Sequence, residues 1–240
     1  MSLYAIGDLH LSFESDKSME RFGDEWKDHP KKIKDNWHDI VKETDTVVIT
    51  GDHSWGKRLE DSMKDLEFIA ELPGRKILLR GNHDRFWNKT SKTDSLNELF
   101  VGKLLFLQDN FYEYEDVLSG RKYALIGSKG FSTDEYCFLA EDKIEKRFKN
   151  ERKRLIKSYE AARCAGYDDF LMFLHYPPTN MHKNEGVFTE LAQEFGAEQV
   201  VYSHLHGKER FDYSIIGKHD GINYTLVSSD YLDFKPKLIK

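Results

Sequence analysis

Short apolar runs recur along this 240-residue chain, and five of them are followed at once by side chains that carry oxygen or imidazole ligands. The runs are rich in Leu, Ile and Val on both alternating faces, which is typical of strands buried between helices. They cover Leu3–Ile6, Thr46–Thr50, Lys76–Leu79, Leu104–Leu107, Tyr123–Ile126, Phe170–Leu174 and Gln199–Tyr202. Longer segments with helical spacing separate them, so the order predicts a layered α/β fold.

Two of the intervening segments are predicted to be helices from their boundary residues as well as their spacing. One follows Pro30, and the other starts near Leu59 and ends at Pro73-Gly74. The tail is different, because its alternating pattern and its turn residues predict further strands. These strands are predicted at Phe211–Ile215, Ile222–Val227 and Leu232–Pro236, with turns at Gly217 and Asp220-Gly221.

Composition limits the class of protein. A charged fraction of 32% and an apolar fraction of 39% are those of a soluble globular chain, and we expect one domain over residues 1–240. No apolar run reaches the roughly 20 residues of a membrane span, and we find no signal peptide, so we predict a cytoplasmic location without membrane partners. Cys137 and Cys164 are predicted to be free thiols, although their number also allows a disulfide.

The net charge of −6 argues against wholesale electrostatic binding of nucleic acid, without excluding a local basic patch. One segment, Lys143–Lys157, carries eight Lys or Arg and two Glu, and its apolar residues predict a long amphipathic helix with an outward basic face. We expect a helical insertion or cap at about residues 129–168. Its basic face is either solvated or attracts an anionic substrate.

The residues that follow five of the runs form a series of metal-ligand types. In an open α/β sheet, the loops beyond the carboxyl ends of the strands converge on one site. Residues two apart in extended chain point the same way, so Asp8 and His10 can face one ion, and His204 and His206 can reach into one site. The series is Gly7-Asp8-Leu9-His10, Gly51-Asp52, Gly81-Asn82-His83-Asp84, His175 and Ser203-His204-Leu205-His206.

Asp, Asn and His without Cys suit Mn²⁺ above all, with Fe or Zn²⁺ also possible. Seven such groups are more than one ion needs, and two ions that share a bridging carboxylate would use them all. Each motif alone is ordinary turn chemistry. The metal site is predicted from their conjunction at five strand ends.

The same ordered motifs resemble those of the calcineurin-like metallophosphoesterases, from about residue 3 to residue 206. The stretches Gly7-Asp8-Leu9-His10-Leu11-Ser12 and Gly51-Asp52-His53-Ser54-Trp55 look like those of a bacterial subgroup of predicted phosphohydrolases. The resemblance implies a four-layer αββα sandwich with a dinuclear site. It also implies two sets of ligands that share Asp52 as a bridge: Asp8, His10 and His206 for one metal, and Asn82, His175 and His204 for the other.

The sequence departs from the motifs of the family at a few positions, and these departures narrow the expected class of phosphoesterase. Ser203 stands where the family most often has Gly before His-x-His, and because Ser is small we expect the turn to survive. The Asp-Arg-Gly and Gly-Asn-His-Glu motifs of the serine/threonine protein phosphatases are absent from this sequence. A phosphoprotein phosphatase in the narrow sense is therefore not expected.

The predicted activity is hydrolysis of a phosphomonoester or phosphodiester, in a small molecule or nucleotide, by a hydroxide that bridges both metals. His83 is expected to stabilise the phosphoryl oxygens or protonate the leaving group, and Asp84 to orient the His83 ring. A nuclease of the same chemistry and a non-catalytic scaffold remain alternatives. The scaffold predicts missing ligands, and none of the seven is missing.

The remaining polar and aromatic residues near the motifs are assigned more ordinary roles. His53 is expected at the cleft rim as a passive loop residue, and Trp55 as a packing residue rather than a substrate platform. Arg85 is equally consistent with a phosphate contact and a salt bridge. Histidines outside the strand-end motifs are predicted to be surface or capping residues: His29, His38, His182 and His219.

Overall fold

Two β-sheets packed face to face organise the computed structural model, which describes residues 1–87, 92–134 and 139–240. The strands are β1 (Leu3–Ile6), β2 (Thr46–Ile49), β3 (Arg75–Leu79), β4 (Leu104–Leu107), β5 (Tyr112–Asp116), β6 (Arg121–Ser128), β7 (Phe170–Leu174), β8 (Ala197–Tyr202), β9 (Gly217–His219), β10 (Ile222–Leu226) and β11 (Lys237–Leu238). The first sheet has the order β11-β1-β2-β3-β4, and the second β5-β6-β7-β8-β10-β9.

Most neighbouring strands are parallel, so their carboxyl ends lie at a common edge of each sheet. In the first sheet β1, β2, β3 and β4 run parallel, and β11 is antiparallel to β1. In the second sheet β6, β7, β8 and β10 run parallel, with β5 and β9 antiparallel at the two edges. This arrangement places the predicted ligands of both sheets at the same end of the molecule.

Helices cover the outer face of each sheet. They are α1 (His29–Ile40), α2 (Met63–Glu71), α3 (Lys92–Leu99), α4 (Glu141–Cys164) and α5 (Val187–Glu194), with short 3-10 helices at Met19–Phe22, Asp24–Trp26 and Glu60–Ser62. One apolar cluster joins the first sheet to α1, α2 and α3, a second joins the second sheet to α4 and α5, and a third fills the space between the sheets. The predicted αββα sandwich is confirmed.

Helix α1 shows how the sequence produces one of these layers. Pro30 lies in the first turn, where its missing N–H costs no hydrogen bond. Ile33 and Trp37 recur on one face and are fully buried. The Trp37 indole N–H donates to the Pro73 carbonyl at 3.0 Å, which fastens α1 to the chain just beyond α2.

The tail departs from the predicted strands. Residues Phe211–Ile215 form turns, because β8 is already paired with β7 and β10 and offers no free edge there. Leu232–Pro236 is likewise mostly turn, and the strand follows it at Lys237–Leu238. The strand predicted at Ile222–Val227 is confirmed as β10, which ends at Leu226, and the turn at Asp220-Gly221 is confirmed as well. The turn predicted at Gly217 is wrong, because Gly217 begins β9 and pairs with Tyr224 of β10.

The long basic helix is confirmed as α4, which joins β6 to the parallel β7. Leu155, Ser158 and Ala162 are buried against the sheet, whereas most of its Lys and Arg residues are exposed. Ser158 Oγ donates to the Asn110 carbonyl at 2.5 Å and accepts from the Gly127 amide at 3.1 Å. No described helix combines the length and the apolar character needed to cross a membrane. Cys164 is an exposed free thiol, and Cys137 lies outside the described residues.

Candidate metal centre

The loops beyond β1, β2, β3, β7 and β8 bring the seven predicted ligands together. Six of them form two clusters, in each of which one ligand atom per residue lies within 4.8 Å of the others. The clusters are Asp8 with His10 and His206, and Asp52 with His175 and His204. Asn82 joins the second cluster, because its Oδ1 lies 2.6 Å from Nε2 of His175.

Asp52 lies between the clusters. Its Oδ2 is 3.4 Å from Nε2 of His175 and 3.8 Å from Nε2 of His10, so one oxygen faces an imidazole of each cluster. Its Oδ1 accepts a hydrogen bond from the His83 backbone amide at 2.7 Å. The carboxylate is therefore held by one oxygen while the other points into the space that both clusters share.

The candidate ligand atoms are better stabilised by bound cations than by one another. Burial raises the pKa values of Asp8 and Asp52 and lowers those of His10 and His175, so protein alone disfavours the charged forms. Among the residues that the structure describes, none donates a hydrogen bond to the buried Asp8 Oδ1. Nε2 of His10 lies 3.2 Å from Nε2 of His206. A buried carboxylate oxygen without a donor is stabilised by a nearby positive charge, and cations with O and N ligands supply it.

Four of the candidate ligands have a strained backbone. Asp8, His10, Asp52 and His204 have φ values of 59°, 45°, 54° and 76°, in the left-handed region that non-glycine residues seldom occupy. Each such residue costs on the order of 1 kcal/mol, and structures retain the cost mainly at functional sites. The strain turns each side chain out of its strand direction and into the cleft.

Close packing of the loops explains two of the glycines and the tolerance of Ser203. A Cβ on Gly81 would lie 2.1 Å from Oδ1 of Asp52, and one on Gly7 would lie 2.5 Å from Oγ of Ser203. Neither position has room for a side chain. Ser203 Oγ instead donates to the Thr50 carbonyl at 3.1 Å, so the turn accommodates serine at a position where the family most often has glycine.

Two imidazoles are oriented by partners outside the clusters. His175 Nδ1 donates to the Thr50 carbonyl at 3.0 Å, which turns its Nε2 toward Asp52. His206 Nδ1 donates to Asp230 Oδ1 at 3.0 Å. Burial opposes protonation of His206, but Asp8 and Asp230 together raise its pKa. Fixing the second ring nitrogen in this way is how proteins orient imidazole ligands.

Asp230 is a site residue that the sequence interpretation missed. It follows β10, whose carboxyl end lies beside that of the parallel β8, and its Oδ2 also accepts from the Gly207 amide at 2.9 Å. The available signal was an acidic residue shortly after one further apolar run, Ile222–Val227. The alternating pattern of the tail does not show that this run pairs in parallel with β8.

The predicted contact between Asp84 and the His83 ring is wrong. The Asp84 carboxylate instead accepts from the backbone amides of Gly81 at 2.7 Å and of Asp52 and His53 at 2.9 Å, and from Nδ1 of His53 at 2.9 Å. Burial opposes ionisation of Asp84, but His53 and these amides lower its pKa. Asp84 therefore ties the loop after β3 to the loop after β2.

His83 itself lies in the cleft against Trp55, with ring centroids 4.3 Å apart. Burial lowers its pKa to about 4, so the ring is neutral at pH 7. Trp55 also stacks on His10, with centroids 4.8 Å apart and planes inclined by 21°. These contacts agree with the interpretation of Trp55 as a packing residue, although it also lines the cleft.

Two histidines lie deeper than predicted. His53 is fully buried against Asp84 rather than at the cleft rim. His29 is 5% exposed, and its ring nitrogens lie 3.1 Å from the Trp26 carbonyl oxygen and 3.3 Å from that of His10. His38, His182 and His219 are exposed, as predicted, and so is Arg85.

A cleft of about 350 Å³ opens over the clusters. Its floor includes His10, Asp52, Asn82 and His204. Its walls are formed by Met19, Phe22, Glu25, Trp26, Trp55, His83, His206, Gly207, Arg210 and Asp230. The clusters are therefore accessible to a small molecule from one side.

Solved structures share this fold at low sequence identity. A protein of unknown function from Aquifex aeolicus is 19% identical with a TM-score of 0.53, and the likeness covers 99% of this chain and 95% of that one. Phosphopantetheinyl hydrolase from Mycobacterium tuberculosis is 15% identical with a TM-score of 0.57, over the same shares of the two chains.

Two sequence comparisons match parts of this chain. The Gene 66 protein of Mycobacterium phage L5 is 34% identical over 77 residues, and the match spans 32% of this chain and 37% of the length of the phage protein. The model of the calcineurin-like phosphoesterases matches residues 1–208, which confirms the resemblance seen in the strand-end motifs. The chain belongs to the calcineurin-like phosphoesterase family.

Proposed function

We propose that this protein is a dinuclear metal-dependent phosphoesterase. Asp8, His10 and His206 would hold one cation, and a second set would hold the other: Asn82, His175 and His204. Asp52 would bridge the two. The observation that carries the proposal is the position of Asp52 Oδ2, which lies within 4 Å of an imidazole nitrogen of each cluster.

The mixed oxygen and imidazole donors favour Mn²⁺, with Fe and Zn²⁺ as alternatives. When bound, such a pair of cations supplies Lewis acidity and lowers the pKa of a coordinated water. The protein itself positions the donor atoms. Strained backbone at four ligands and the outer hydrogen bonds to Thr50 and Asp230 hold the donor atoms toward one another before any metal arrives.

His83 is the proposed catalytic residue, because it lines the cleft beside the ligands. A ring with a pKa of about 4 is neutral at pH 7, so His83 would donate a hydrogen bond to a phosphoryl oxygen or to the leaving oxygen. Asp84 acts at a distance from the substrate. It holds the backbone of Gly81, Asp52 and His53 together, and the His83 backbone amide in turn fixes Asp52.

Metal-free protein reconstituted with Mn²⁺ tests the proposal. We expect two metal ions per chain and turnover of at least one of three substrates assayed in parallel: a bis-aryl phosphate, an aryl monophosphate and single-stranded DNA. His83→Ala should keep both metals and lose about a hundredfold in kcat, in the range typical of general acid–base groups. The exposed His38→Ala is the matched control.

Two results would contradict this assignment. Full metal occupancy without turnover of any of the three substrates would favour a non-catalytic scaffold. Loss of a metal ion in His83→Ala would show that His83 is a ligand.

A further inference from the structure

We propose that the site prefers phosphodiesters to phosphomonoesters, because two cavities, which we call its arms, both have His204 and Arg210 in their linings. This inference rests on the proposed phosphoesterase activity and adds the class of ester. The first arm is the cleft of about 350 Å³ over the clusters. The second arm is a separate cavity of about 260 Å³.

The first arm has an apolar wall formed largely by the two 3-10 helices before α1. Met19 and Trp26 are buried in this wall, Trp55 is half-buried, and Phe22 is 56% exposed at its edge. An exposed phenylalanine is ordinary on a protein surface. At the mouth of a cleft that contains metal-ligand clusters, it offers contact area to an organic group.

The second arm is lined by a different part of the chain. Pro177, Met181, Leu205 and Tyr213 provide apolar surface, and Ser132 and Asp134 provide polar groups. Asp134 Oδ2 accepts from the Met181 backbone amide at 2.7 Å, which fixes the position of Met181 in the wall. Each arm is several times larger than the roughly 30 Å³ of a water molecule, so each has room for a substituent.

One of the two residues that line both arms is a proposed metal ligand. His204 is a member of the second ligand cluster and lines both arms, as does Arg210. A phosphorus atom bound beside His204 would therefore have a cavity available for each of two ester substituents. A monoester has one substituent and would leave the other arm to water.

The charge of the lining favours the same class. Among the described residues that line the two arms, Arg210 is the one Lys or Arg, whereas three carboxylates line them: Glu25, Asp134 and Asp230. A phosphomonoester carries a charge of about −1.5 to −2 at pH 7, whereas a diester carries a single negative charge. These carboxylates therefore contribute a repulsion that is larger for a monoester than for a diester.

A pair of substrates with one leaving group tests the inference. Bis(p-nitrophenyl) phosphate and p-nitrophenyl phosphate both release p-nitrophenolate. The ratio of their kcat/KM values therefore measures the effect of the second ester substituent. With the Mn²⁺-loaded protein we expect kcat/KM at least tenfold higher for the diester.

Variants of exposed residues show whether the arms cause the difference in kcat/KM between the two substrates. Phe22→Ala and Met181→Ala remove side chains that are 56% and 43% exposed, so the fold should tolerate both. Each should lower kcat/KM for the diester by roughly fivefold to tenfold, in line with lost apolar contact in a pocket. At least one of the two should leave the monoester rate unchanged, and Leu118→Ala, at a residue 99% exposed, should change neither rate.

The outcomes separate the two proposals. Turnover of the monoester at an equal or higher rate, or equal losses for both substrates in each arm variant, would overturn the diester preference and leave the phosphoesterase intact. Absence of turnover with both metals bound would overturn the phosphoesterase and the preference with it.

Discussion

The two sheet edges that form the proposed metal centre contribute different chemistry. The first edge, beyond β1, β2 and β3, supplies every oxygen donor, from Asp8, Asp52 and Asn82, together with one imidazole. The second edge, beyond β7 and β8, supplies imidazoles alone, from His175, His204 and His206. Neither edge holds a complete cluster, so the site exists only where the two sheets meet.

The edges also differ in how their ligands are held. At the first edge the Asp84 carboxylate gathers three backbone amides and the His53 ring, and Asp52 accepts from the His83 amide. At the second edge two separate acceptors hold the ligands: the Thr50 carbonyl accepts from His175 and Ser203, and Asp230 accepts from the His206 ring and the Gly207 amide. The first edge is therefore an interlocked network around one carboxylate, whereas the second has two smaller supports. Changes at the first edge should therefore have the larger effects.

Asp52→Asn should have the largest effect. It removes the charge that faces an imidazole of each cluster, so we expect loss of metal from both sets of ligands and at least about a thousandfold loss of kcat, the upper end of what one electrostatic stabiliser contributes. Metal analysis and turnover of an aryl phosphate ester measure it. The exposed Asp39→Asn is the control, and two full metal sites in Asp52→Asn would refute the bridge.

Asp84→Ala should be the most damaging change to the fold at this edge. It leaves three buried amides without their acceptor and the buried His53 ring without its partner, so we expect a loss of about 3–5 kcal/mol in the free energy of unfolding. Urea denaturation of the metal-free protein measures it. An unchanged midpoint would show that the network contributes nothing to stability.

Asp230→Asn tests the second edge. The amide keeps the shape of the side chain but loses the charge behind His206, so we expect metal affinity to fall by roughly 10-fold to 100-fold with little change in unfolding. Competition with a chelator measures the affinity. Asp233→Asn, an exposed aspartate three residues away, is the matched control. A loss as large as that of Asp52→Asn would break the distinction between the edges.

Ser203→Ala should have the smallest effect. It removes one hydrogen bond to the Thr50 carbonyl, the same carbonyl that orients His175, and a single neutral bond contributes about 1 kcal/mol. We expect a loss of that order in unfolding and an unchanged metal content. The exposed Ser95→Ala serves as the comparison. Loss of metal in Ser203→Ala would show that the second edge is also a network.

The sequence predicted the first edge and the ligands of the second because both depend on local patterns. A buried apolar run followed by Gly-Asp or His is visible in a few residues, and parallel strands bring such ends together. The partners of Asp84 and Asp230 were not predicted, because those partners lie far away in the sequence. Asp84 and His53 are 31 residues apart, and Asp230 lies 24 residues from His206.

The tail shows the same limit in the fold. An alternating pattern at Phe211–Ile215 is compatible with a strand, but a strand needs a free neighbour, and β8 had already been paired on both sides. Pairing is a property of the whole sheet and cannot be seen in five residues. The left-handed backbone at Asp8, His10, Asp52 and His204 was equally invisible, because those residue types do not require it.

The division of each cluster between the two sheets has a consequence for biosynthesis. Asp8 and His206 belong to one cluster, and Asp52 and His204 to the other, so each set of ligands receives its last member from the same short loop. A ribosome that adds about 5–20 residues per second needs on the order of 10–40 s to make the chain between the first and last ligands. A nascent chain that stops before residue 204 has neither set complete. The proposed metal sites can therefore be completed only late in synthesis, once the loop that carries His204 and His206 has been made.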